Sequence, residues 1–119
     1  MTNRKSGVDV IERYIDAAAK HGAATDRGDH RTANAAYDDV LSALSEIRRF
    51  PDRGQSVLKE LLNYPNSHVK IWAATHLLPL DEEAAIRALS ALVSEPPFVG
   101  INARMVLREW KAGRLKIPE

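Results

Sequence analysis

The chain has 119 residues and a mass of 13.2 kDa, which argues for one domain and leaves no room for a second. With 45% hydrophobic and 28% charged residues it can bury a proper core, and 17 basic against 16 acidic residues leave a net charge of +1, too little for general nucleic-acid binding through a strongly positive surface. The absence of cysteine excludes disulfide scaffolds, thiolate zinc sites, iron–sulfur clusters and cysteine nucleophiles. No apolar run approaches the length of a membrane span, and Met1–Gly7 is polar with no signal-type apolar stretch behind it. A cytoplasmic protein with no membrane association is the expectation.

Apolar residues recur at helical spacing almost everywhere, and two-residue alternation is rare. From Val8 to about Arg27, Ile11, Tyr14, Ile15, Ala18 and Gly22 recur at intervals of three and four, with Asp9 and Glu12 in the first turns, where carboxylates favour the positive end of the helix dipole. Gly28 sits where a helix-ending glycine would, and Asp29 can cap the next helix. That helix, about residues 30–49, carries a stripe of Ala33, Ala36, Tyr37, Val40, Leu41, Leu44 and Ile47 and ends in Arg48 and Arg49 before Pro51.

Shorter pieces follow. A helix from Gln55 to about Asn63 carries Val57, Leu58, Leu61 and Leu62 and stops at Tyr64-Pro65-Asn66. Asn66 or Ser67 caps a fourth helix over about 67–78, which ends before Pro79. Asp81 caps a fifth, with Glu82 and Glu83 in its first turn and Ile86, Leu89, Leu92 and Val93 as its apolar set. Pro96 and Pro97 break the chain, and a sixth helix runs from about Phe98 to Ala112, ending at Gly113. The expected organisation is a flexible segment 1–7, one all-α domain over 8–113 with about six helices, and a tail over 114–119.

The second half also repeats. Val69, Ala73 and Leu77 are matched thirty positions later by Val99, Ala103 and Leu107, and Leu58, Leu61 and Leu62 correspond to Leu89, Leu92 and Val93. Each unit is a helix with a leucine ridge followed by one with alanine at mid-contact, where a small side chain lets two helix backbones approach.

Val69-Lys70-Ile71-Trp72-Ala73-Ala74 with Leu77 resembles the second helix of a HEAT-type repeat. Gly28-Asp29-His30, Ala33-Asn34, Tyr37-Asp38, Val69–Leu77 and Arg108-Glu109-Trp110, in that order, resemble a family of small bacterial proteins known only as a domain of unknown function. The resemblance spans about Val8 to Gly113 and implies an α-α superhelix of stacked helical hairpins, HEAT- or armadillo-like. It brings no activity, cofactor or catalytic residue with it. The first helical pair is longer than a standard HEAT pair.

Candidate sites are few. None of His21, His30, His68 and His76 falls in an HExxH motif. His68 and His76 lie about 12 Å apart along one helix, too far to share an ion; His68, Trp72 and His76 fall at i, i+4 and i+8 as a strip of imidazole, indole and imidazole, which reads as packing plus a surface-edge histidine. Asp81-Glu82-Glu83 is explained by a capped first turn, and no nucleophile elbow or phosphate-cradling glycine loop occurs. No enzyme activity, metal or cofactor is expected. The best local signal is the last helix, where Arg104, Arg108 and Lys111 fall at i, i+4 and i+7 opposite Val99, Val106 and Trp110, with Arg114 and Lys116 extending the stripe.

The expected function is a non-catalytic module binding a protein partner through Arg104, Arg108 and Lys111, with the surface around Trp72 and His76 as a second contact. Small size also suits a bacterial immunity-type protein that neutralises a toxin, by analogy with other small helical-repeat proteins. The alternative is contact with a nucleic-acid backbone through the C-terminal basic helix.

Overall fold

The computed structural model describes residues 7–95 and 98–117, and these form α-helices with no strand among them. The helices are α1 (Gly7–Asp26), α2 (His30–Ile47), α3 (Gln55–Leu61), α4 (Ser67–Leu77), α5 (Glu82–Leu92) and α6 (Phe98–Lys111). Of the segment 1–7, only Gly7 is described, and α1 begins there; residues 1–6 and the last two residues of the tail lie outside the described residues. By their contacts the residues divide into two compact units, Met1–Gly54 and Gln55–Glu119.

The first unit is a pair of packed helices. Arg13 near the start of α1 reaches Glu46 near the end of α2 at 3.2 Å, and the His21 ring lies 6.3 Å from that of Tyr37, so the two helices run antiparallel. The reversal is local chemistry. Gly28 adopts φ +74°, a left-handed conformation that costs a residue with a Cβ, and the Asp29 N–H closes back on the Ala24 carbonyl at 2.8 Å. The Asp29 carboxylate then accepts from the Thr32 N–H at 3.1 Å, which satisfies a donor that the first turn of α2 leaves open.

Tyr14, Ala17 and Ala18 of α1 are buried, as are Ala33, Ala36, Val40, Ala43, Leu44 and Ile47 of α2. The alanines keep the contact face flat enough for close packing of the two backbones. Tyr37, expected within that stripe, is instead 40% exposed, because its ring is turned to the edge of the contact beside His21. Ile11 and Ile15 are half-buried rather than core. Burial pushes the Tyr14 phenol far above its ordinary pKa, with the Arg48 charge offsetting a part.

In the second unit α4 is the hub: it packs against α3, α5 and α6, as its apolar residues on both sides suggest. Val69, Ile71, Ala73, Ala74, His76 and Leu77 are all buried. Asn66 caps α4, its side-chain oxygen accepting from the N–H groups of His68 at 2.8 Å and Val69 at 3.2 Å. Ser67 at the start of α4 donates to Glu95 beyond the end of α5 at 3.0 Å, so these helices are antiparallel. Asp81 caps α5 through the Ala84 N–H and takes the Lys59 ammonium of α3 at 3.2 Å. The Ala84 N–H, then Lys59, hold its carboxyl below the ordinary range.

Candidate functional site

α6 is anchored by one face and bare on the other. Val99 and Ala103 are buried, Val106 and Trp110 are partly buried, and the helix packs on α5 and α4. The Trp110 indole N–H donates to Glu82 Oε2 at 2.8 Å, joining the end of α6 to the start of α5. The helix then ends at Gly113, whose φ of +74° turns the chain so that the Arg114 N–H meets the Glu109 carbonyl at 2.9 Å.

Arg104, Arg108 and Lys111 are exposed, as the sequence suggests, and none forms an ion pair with a described residue. Arg114 does not extend the stripe. Its guanidinium is clamped on Glu109 by two hydrogen bonds of 2.9 Å each, which lowers the Glu109 carboxyl and raises Arg114 itself. The physical reason is the reversal at Gly113, which folds Arg114 back onto the preceding turn. The open cations are therefore fewer and more localised than the sequence implies.

The second candidate contact is also corrected. His76 is only 2% exposed, with its ring centroid 5.3 Å from that of Trp72, and belongs to the interior of the unit. A partner cannot reach a buried imidazole, so the strip of His68, Trp72 and His76 is no continuous surface. Trp72 and His68 remain partly exposed. α4 is apolar on both sides, and periodicity alone cannot orient such a helix.

Three apolar side chains were not legible as surface features. Phe98, Ile101 and Met105 are 50%, 62% and 45% exposed, and they share the outer face of α6 beside the cations. Their spacing of three and four residues is the signal that could have found them. A cleft of about 260 Å³ on the first unit, lined by Arg13, Asp16, Ala17, Lys20 and Asp39, carries balanced charge with Arg13 already engaged by Glu46.

Among the described residues no three His, Asp or Glu side chains gather where they could hold one metal ion. No helix among them is long and apolar enough to cross a membrane. Among curated proteins none matches the chain. Among solved structures it is similar to the crystal structure of the protein RPA1889 from Rhodopseudomonas palustris CGA009, with a TM-score of 0.85 and 21% sequence identity over 97% of this chain and 96% of that one. At that identity the likeness speaks for the fold alone. A family model covers residues 8–110, most of the chain, and the protein belongs to the family it describes, the domain of unknown function DUF2019.

Proposed function

We propose that the protein is a non-catalytic interaction module that presents α6 to a protein partner. One observation carries the reading: Arg104, Arg108 and Lys111 stand exposed on one helix without an ion-pair partner among the described residues, next to exposed apolar side chains. Cations alone form a solvated face, whereas cations beside apolar contact area are the composition of a binding surface. Three carboxylates have structural work. Asp29 and Asp81 cap helices, and Glu109 holds Arg114.

The second unit supports a HEAT-like stack. Leu58 and Leu61 of α3 are buried with Leu62 at the edge, and Leu89 and Leu92 of α5 are buried with Val93 at the edge. Val69 and Ala73 of α4 and Val99 and Ala103 of α6 are buried alike. The third matched pair differs, since Leu77 is buried and Leu107 only partly so, but the other positions about thirty residues apart share their environments, as stacked hairpins require, and such stacks mostly bind proteins or peptides. A cytoplasmic immunity-type role is one form that this binding can take.

The test is capture of a partner from the native cell with wild-type protein and with Arg104→Glu combined with Arg108→Glu. Both residues are in solvent, so helical content should stay intact, while association should slow by about an order of magnitude. Unchanged capture would remove α6 as the interface. Tight, steeply salt-sensitive binding of random-sequence DNA would favour backbone recognition of nucleic acid instead.

A further inference from the structure

The outer face of α6 has the layout of one half of a coiled coil. With Phe98 at position a of a heptad, Ile101 falls at d, Met105 at the next a and Arg108 at the next d, while Arg104 and Lys111 both fall at g. The exposed apolar row is therefore a seam that ends at Arg108, and Arg104 and Lys111 flank it on one edge only. On the other edge, position e holds Asn102 and Glu109, and Glu109 is already spent on Arg114.

From this we infer that α6 docks an amphipathic α-helix of a protein partner, one whose apolar row is bordered by carboxylates along the edge that meets Arg104 and Lys111. The inference rests on the protein-binding reading above and names the occupant of that surface. Charge selects the occupant. A helix bearing Glu or Asp on that edge pairs with Arg104 and Lys111, and an acidic or hydrogen-bonding residue opposite Arg108 sets the register. A second copy of this chain is disfavoured, because it would bring cations against Lys111 and Arg108, and its one nearby acid is held by its own Arg114. The fourteen residues of α6 provide two heptads, too short for a free helix in water, but α6 is already held by α5 and α4 and pays no ordering cost.

The experiment is selection from a displayed random library of fourteen-residue peptides on the immobilised full-length protein, followed by affinity measurement of the enriched peptides. Enriched sequences should show apolar residues at alternating spacings of three and four with carboxylates on one flank. Ile101→Gln with Met105→Gln should weaken them by about tenfold or more, and Arg104→Gln with Lys111→Gln should weaken them less and flatten the salt dependence. Enrichment without the acidic flank, or binding unchanged in the Ile101/Met105 variant, overturns the inference. So does wild-type self-association in sedimentation, or pelleting with phosphatidylserine vesicles, that the Ile101/Met105 variant abolishes, since the occupant is then a second copy or a lipid surface. Partner capture that needs Arg104 and Arg108 but not Ile101 and Met105 would overturn this inference and leave the protein-binding reading standing. Capture that ignores all four residues would overturn both.

Discussion

Trp110, in the last turn of α6, donates its indole N–H to the carboxylate of Glu82, in the first turn of α5, over 2.8 Å. The contact joins antiparallel neighbours at one end, opposite the end of α5 and the start of α6, and so holds the outer face of α6 in place. A charged acceptor in a partly exposed site supports a modest gain. Trp110→Phe keeps most of the packing and removes the donor, so it should lower stability by about 1 kcal/mol in chemical denaturation. Glu82→Gln, which can still accept, should cost less.

Ala73 and Ala103 are both fully buried at equivalent positions of α4 and α6. Leucine at either site must displace a neighbouring helix, so each substitution should cost about 1–3 kcal/mol. Wild-type stability in both variants would remove the packing basis of the proposed repeat.

Two glycines should fail as alanine for opposite reasons. A Cβ on Gly100 would stand 2.5 Å from the Glu95 carbonyl oxygen and 2.6 Å from that of Val93, backbone atoms that cannot swing aside. Gly100→Ala should therefore destabilise by about 1–3 kcal/mol through strain at the turn into α6. Gly28 has open space around it, and only its φ of +74° resists substitution. Gly28→Ala should cost about 1 kcal/mol and Gly28→Asn less, since asparagine tolerates that region. Thermal midpoints of the three variants separate the two causes.

Acid should unfold the protein partly through three carboxylates. Hydrogen bonds from Thr32 lower Asp29, the Ala84 N–H lowers Asp81, and Arg114 lowers Glu109. A carboxyl whose folded pKa is depressed stabilises the fold above its unfolded value of about 4, and that stability is lost as the pH falls through the folded value. Stability should thus decline below about pH 4. Asp81→Asn retains a capping acceptor without the titration and should flatten that limb of the profile, read as denaturation midpoint against pH.

Folding should be indifferent to metal, because among the described residues no ligand cluster exists. Thermal unfolding with and without a strong chelator should give one midpoint. A drop of several degrees would point to histidine ligation.

The helix ends were legible in the sequence because their chemistry is local. Asp29, Asn66 and Asp81 each satisfy N–H groups two or three residues ahead, and Gly28 and Gly113 adopt the left-handed conformation just past a helix. The burial of Leu58, Leu61, Leu89 and Leu92 was equally readable, since each lies on the single apolar ridge of its helix. What surrounds a side chain was not. His76 lies on a helix apolar all round, so only the neighbours packed on α4 decide that its ring is interior. Tyr37 belongs to the apolar stripe of α2 by spacing, yet the close approach permitted by the alanines leaves its ring at the edge. α6 carries two apolar rows, and periodicity ranks neither. Packing on α5 and α4 buries Val99 and Ala103, and that choice turns Phe98, Ile101 and Met105 outward beside Arg104 and Lys111. Sequence by itself determined where each helix begins, ends and is apolar, because those properties need only a few neighbouring residues. Tertiary structure alone decided which apolar face is left exposed, because burial depends on atoms far away along the chain.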